Sequence, residues 1–218
     1  MKANVKYMEP VSNVMGSDMK SMSDTLLSMF PEKRFPHVDH WETSRRFLDY
    51  LQEFRTRTDF AALLGTRFDA HPEHVHDEDC AHARDHDHNP DNYLPMVTQR
   101  NIPFVGICAH HLLPMMGHAA FAYIPEKQFV GLSKIPRLVD AVGHEQPSLQ
   151  EAYSDRIVDV FMEHVDCLGA AVMIKATHAC VACRGPRMVE ADTVTTSLRG
   201  RFQTYREVRE EFYAMLAS

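Results

Sequence analysis

Residues Gly169 to Thr177, GAAVMIKAT, form a nearly continuous apolar run with one charge in it. A run of this length between turn signals reads as a strand buried in a core, and it is far shorter than the roughly 20 residues of a membrane span. The chain must therefore build a sheet around it. Val194 to Leu198 supplies a partner strand after a loop. Upstream, Met96-Val97-Thr98 and Ile102-Pro103-Phe104-Val105 read as strand pieces, and Gly117 to Tyr123 as another, with Pro125 and Lys127 in the turn that follows. Phe129 to Leu132 is short and apolar. Between the strands lie two helices. One is capped by Ser133 and runs through Ile135, Leu138, Val139 and Val142, with Pro136 tolerated in its first turn. The other spans Ser148 to Cys167, with Ile157, Val158, Phe161 and Val165 as its stripe, and a last helix covers Tyr205 to Leu216. Strand pair, two helices, strand pair and helix describe an α+β fold with a mainly antiparallel sheet.

The N-terminal third is different. The first 35 or so residues are rich in Met and Ser and read as an arm with one short helix, Ser23 to Met29. From Trp41, Phe47, Leu48, Leu51 and Phe54 recur at helical spacing with Thr43 as a cap, and Phe60 to Leu64 is a short helix ending at Gly65. Three regions follow from this pattern: an arm and helical part over 1–70, a surface loop over 71–92, and a catalytic domain over 93–218.

The loop, HPEHVHDEDCAHARDHDHNPDN, holds six of the chain's 14 histidines and carries a net −6 of its formal −7. Val75 is its only large aliphatic, so it has nothing to bury. The rest is nearly neutral. An acidic chain is a poor wrapper of nucleic acid, and no run is long enough to span a membrane. Five cysteines, an odd number with no secretory signal ahead of them, point to a reduced, cytoplasmic protein rather than a disulfide framework.

Two strand ends carry chemistry. Cys108-Ala109-His110-His111 follows one and His178-Ala179-Cys180 follows another. Two thiolates and an imidazole make a tripodal zinc site with a fourth position open to water, and the remaining histidines titrate where proton transfer needs them. Read singly, Cys108 and Cys180 are as well explained as small core residues, and Cys167 is core. Cys180-Val181-Ala182-Cys183 is a CxxC without the βαβ context of a redox pair. Fixed positive charge is the second ingredient: Lys134 and Arg137 at a helix start, and Arg184 with Arg187 after Cys180. The third is Gln150-Glu151 in the first turn of the long helix, either an ordinary helix start or an acceptor for a base's N–H and amino edge.

These ingredients, in this order, resemble GTP cyclohydrolase I. The strings that carry the likeness are CAHHLLPMMGHAAFAYIP, VGLSKIPRLVDA, LQEAYSDRIVDVF, ATHACVACRG, TVTTSLRG and the terminal REEF; before Tyr93 the likeness is confined to WETSRRFLDYLQEF and FAALLGTRF. The resemblance implies a tunnelling fold (T-fold), an antiparallel sheet with two helices on one face, assembled into a ring-based homo-oligomer, a decamer, with active sites between subunits. It implies Cys108, His111 and Cys180 on zinc, and His110 and His178 moving protons. Lys134, Arg137 and Arg184 would grip a triphosphate, Ser133 the ribose, and Gln150 and Glu151 the guanine edge. The implied reaction is hydrolytic opening of GTP at C8, loss of formate, and rearrangement to 7,8-dihydroneopterin triphosphate.

The sequence departs from the family pattern at Ala109, Ala152 and Pro136, where the family has Glu, Arg and a small or polar residue. Ala109 removes a carboxylate beside two imidazoles. The alternatives are therefore a modified purine nucleotide as substrate, or a reaction that stops at the ring-opened product. The nitrile reductase branch of the T-fold is disfavoured by the Cys–His–Cys set, and a metal-handling role rests on the His-rich loop, whose imidazoles and carboxylates bind divalent metals weakly.

Overall fold

A computed structural model describes the backbone of residues 6–7, 15–31, 37–69 and 95–217; the His-rich loop expected over 71–92 lies outside the described residues. In chain order the elements are β1 (Lys6–Tyr7), α1 (Met15–Met29), α2 (His40–Glu53), β2 (Thr56–Arg57), α3 (Phe60–Leu63), β3 (Arg67–Asp69), β4 (Val97–Cys108), β5 (Leu113–Pro125) and β6 (Gln128–Val130). They continue with α4 (Lys134–Gly143), α5 (Gln150–His164), β7 (Cys167–His178), α6 (Ala179–Ala182), β8 (Thr193–Gly200), α7 (Arg201–Thr204) and α8 (Arg206–Ala217).

The main sheet is antiparallel throughout, in the order β4-β5-β7-β8. The apolar run over 169–177 sits in its interior: Ala170, Ala171, Val172 and Ile174 of β7 are fully buried. Alternation along the strands divides the two faces. Phe121 and Tyr123 of β5, with Ala170 and Val172 of β7, face Leu138, Val142, Ile157 and Phe161 of α4 and α5. Ala122 and Ala171, which pair across β5 and β7, face the other way and leave room for Phe202 and Phe212 of the C-terminal helices. The expected architecture of an antiparallel sheet with two helices on one face is what the chain forms, with part of the opposite face covered as well.

Several boundaries differ from expectation. The two strand pieces before Cys108 are one strand whose register shifts between Gln99 and Ile102, where Asn101 takes a positive φ of 55°. The arm's helix starts at Met15 rather than Ser23. Asp39, not Thr43, caps α2, its carboxylate accepting from the Glu42 N–H at 2.8 Å. The long helix ends at His164, because Val165 turns extended and Cys167 opens β7 instead of closing α5. A second ladder joins β3 to β6, and Tyr123 Oη accepts from the Val130 N–H at 2.9 Å, fixing the entry to α4.

A Cys–His–Cys cluster at one end of the sheet

β4 and β7 both run antiparallel to β5, so they run parallel to each other with one strand between them. Their C-terminal ends therefore emerge on one side of the sheet. Cys108 pairs with Leu113 at the start of β5, and His178 pairs with Met115 two residues on. β7 passes directly into α6, which brings Cys180 back toward the same point. The ligand atoms of Cys108, His178 and Cys180 lie within 4.8 Å of one another, and Cys108 is only 4% exposed.

The elements that hold this end are local. Ser148, just before α5, bridges to Cys108: its N–H donates to Ile107 O at 2.9 Å and its carbonyl accepts from the Ala109 N–H at 3.0 Å. That bridge delivers the start of α5 to the cluster. Gln150, buried at the first position of the helix, accepts at Oε1 from His178 Nε2 at 2.7 Å. Burial lowers the His178 pKa from the ordinary imidazole value, and the nearby Glu151 charge partly opposes that shift. His178 is thus held toward its neutral form.

The expected site residues divide into two groups. Cys108, His178, Cys180 and Gln150 come together as described. His110 and His111 sit exposed on the turn after Cys108, their rings edge-on with centroids 6.2 Å apart, and His111, the expected third ligand, is outside the close group that includes His178. Glu151 and Arg184 are exposed at the same end.

Ser133, Lys134 and Arg137 are elsewhere. Gly143, at the end of α4, packs so tightly on β4 that a Cβ there would stand 2.2 Å from Val105 O. Lys134 lies nine residues back along that helix, roughly 14 Å at 1.5 Å per residue. The helix begins just after β6, which is tied to Tyr123, and Tyr123 pairs with Val97 at the far end of β4. Within one chain, Lys134 and Arg137 lie toward the opposite end of the sheet from Arg184. Ser133 is itself helical (φ −68°, ψ −9°) and makes no side-chain cap, contrary to expectation. Ser148, Tyr153 and Thr195, which support the cluster, had no sequence signal, because their work is done through tertiary hydrogen bonds.

The donor set fits zinc. Zn–S near 2.3 Å in a tetrahedron puts two thiolates roughly 3.8 Å apart, so the Cys108–Cys180 separation, within 4.8 Å, closes by small side-chain movements. An enzyme-like site at a strand end, soft donors on a four-stranded antiparallel sheet, is the class this arrangement defines. The sequence profile of the GTP cyclohydrolase I family matches residues 51–217, and the chain belongs to that family.

Among similar curated proteins, GTP cyclohydrolase 1 of Campylobacter jejuni strain 81-176 is 45% identical over 123 residues, 56% of this chain and 64% of that protein. GTP cyclohydrolase 1 of Hydrogenobaculum sp. is 41% identical over 125 residues, 57% of this chain and 68% of that protein. The match spans less than two thirds of the Campylobacter protein's length. The apo archaeosine synthase QueF-Like structure aligns with 48% of this chain at 12% identity and a TM-score of 0.38, too loose a likeness to carry an argument. Among the described residues, no helix is long and apolar enough to cross a membrane.

Proposed function

We propose that this chain opens the imidazole ring of GTP, or of a close purine nucleotide, by hydrolysis at C8, releases formate, and closes the product to 7,8-dihydroneopterin triphosphate. The observation that carries this reading is the convergence of Cys108, His178 and Cys180 at one end of the sheet in a chain of the GTP cyclohydrolase I family. Cys108 and Cys180 would hold a zinc ion as thiolates, with His111, on the turn after Cys108, as the third ligand. Zinc in such a site supplies Lewis acidity and makes water acidic near neutral pH.

The protein's own groups do the rest. His178, kept toward its neutral form by burial, accepts a proton, and His110 donates one to the purine N7 as the C8 bond breaks. Exposed Glu151 accepts from the base's N–H and amino group. Arg184 stands on the same side, ready for a phosphate oxygen. The remaining phosphate contacts, Lys134 and Arg137, come from a second copy of the chain, which supports a homo-oligomer with sites between subunits, and the resemblance makes it a ring-based decamer.

The test is incubation of the zinc-loaded protein with GTP while formate release and pterin fluorescence are followed together. Both signals in equal amounts support the full reaction. Formate without pterin restricts the chain to ring opening, the outcome that the missing carboxylate at Ala109 makes worth separating. No formate from GTP or any related purine nucleotide defeats the proposal.

A further inference from the structure

Gln150 is placed where a base-reading residue would not be. It is 2% exposed, and its Nε2 faces three acceptors: Ile174 O at 3.0 Å, Thr193 O at 2.9 Å and Thr195 Oγ1 at 3.1 Å. Backbone carbonyls only accept. Turning the amide over would press Oε1 against two carbonyl oxygens, so the network dictates its orientation. The hydroxyls agree. Ser154 Oγ lies 3.1 Å from Gln150 O, to which it donates, and 2.7 Å from Thr195 Oγ1. Thr195 then donates to Ser154 and turns a lone pair toward Nε2 of Gln150. With the amide pinned, Oε1 can only accept, and it lies 2.7 Å from His178 Nε2. Nε2 must therefore carry the proton. In a neutral imidazole this leaves Nδ1 as the nitrogen with a free lone pair.

We propose that Gln150 is a positioning residue: it locks His178, a member of the Cys108–Cys180 cluster, in the Nε2–H tautomer with Nδ1 as the bare nitrogen, and does not read the purine. Acceptors of this kind, one step behind a working imidazole, set both ring orientation and tautomer. The inference rests on the ring-opening reading for its substrate and moves Gln150 out of the substrate-binding set expected from sequence. The purine edge is left to Glu151, its exposed neighbour.

The tautomer is tested directly in metal-free protein labelled with 15N-histidine. Solid-state NMR is recorded about two units above imidazole's usual pKa of roughly 6.5, with the His178 signals identified by their loss in His178→Gln. A protonated Nε2 and a bare Nδ1 are expected. A dominant Nδ1–H form overturns the proposal without any nucleotide being needed.

Gln150→Met then separates positioning from reading. Its kcat for GTP opening is expected to fall about 10–100-fold. GTP affinity of the metal-free protein should stay within about threefold, and the preference for GTP over inosine triphosphate, which lacks the 2-amino group, should be kept. Weakening of GTP binding by about tenfold or more, or loss of that preference, would assign Gln150 to the base. If Gln150→Met does not fold, Thr195→Val, which removes one of the three acceptors, should show the same split at smaller amplitude, and unchanged kcat there counts against the lock. A wild-type protein that neither binds nor opens any purine nucleotide defeats the ring-opening reading instead, and the NMR tautomer still decides how His178 is held.

Discussion

Tyr153, on α5, holds Ile107, the residue before Cys108. Its Oη accepts from the Ile107 N–H at 3.3 Å and lies 2.6 Å from Gln146 O and 3.1 Å from Ile107 O, donating mainly to the nearer carbonyl. Burial pushes its pKa up to about 12, so the phenol stays a neutral donor at any working pH. Its ring also lies against Gly106, where a Cβ would stand 3.0 Å from Cε2. One side chain thus ties the last turn before α5 to the strand that delivers Cys108.

Tyr153→Phe keeps the ring and removes the hydroxyl. The buried Ile107 N–H loses its partner, while Ile107 O keeps the Ser148 N–H and Gln146 O lies on an exposed residue, so the variant should be destabilised by about 1–3 kcal/mol in urea unfolding. Zinc affinity, measured by competition with a chromogenic chelator, should fall with it, since Cys108 loses its anchor. Unchanged metal affinity in a destabilised variant would mean that Ser148 alone positions Cys108.

Gly143 lets α4 lie directly on β4. The hydrogen at its Cα is the only group that fits, because a methyl would sit 2.2 Å from Val105 O. Gly143→Ala must push the helix off the strand, at a cost of about 3 kcal/mol. The expected result is a lowered Tm. An unchanged Tm would mean that α4 does not seat where the packing of Leu138 and Val142 puts it.

Acid sensitivity has a named source. The Ser197 hydroxyl at 2.7 Å holds the Asp155 carboxyl below its usual range against an opposing burial effect, and Arg199 at 3.0 Å adds to the lowering. A carboxylate with a lower folded pKa contributes stability above its unfolded value of 3.8, and that contribution is lost as pH falls through the lower folded value. The Asp155 side chain is 56% exposed, so the contribution is under about 1 kcal/mol. Asp155→Asn should be slightly less stable than wild type at neutral pH, and the gap should close as pH falls below the lowered folded value. A gap that persists there would show that the charge is not what stabilises this contact.

The strands around the cluster were legible because apolar runs and turn residues are local signals, and Cys108 and His178 stand where two such runs stop. The β3–β6 ladder was not, since three-residue strands have no period to detect. The end of α5 was misplaced because Val165 and Cys167 continue a helical apolar stripe while belonging to the next strand's approach. From sequence, Gln150 reads as a helix-start residue or a purine contact. Its tie to His178 spans 28 positions and depends on two strands meeting one helix, which no spacing rule encodes. The split between Lys134 and Arg184 was equally hidden, because it follows from the direction in which α4 packs.

The cysteines should differ in reactivity. Burial pushes the Cys167 thiol up to about 11, while Cys183, at the end of α6, is exposed. Only the thiolate is alkylated, so iodoacetamide at about pH 8 should label Cys183 quickly and leave Cys167 unmodified in the folded protein, as read by peptide mass spectrometry. Equal labelling would show that the β7 entry opens on the timescale of the reaction.

The distance between the two halves of the charged set yields the most discriminating experiment. Cys108, His178, Cys180 and Arg184 sit at one end of the sheet, and Lys134 and Arg137 toward the other, so the proposed reaction would draw one half of its site from each of two chains. Cys180→Ser and Arg137→Ala should each abolish ring opening, the first through metal binding and the second through phosphate positioning. Unfolded together and refolded at equal amounts, the two variants assort at random among the subunits. In a closed ring with heterologous contacts, about one site in four then receives an intact half from each side. Recovery of about a quarter of wild-type activity, in a mixture of two inactive proteins, is the expected outcome. Sites contained within single chains would stay inactive at every mixing ratio, and that result would overturn the division of the site between subunits.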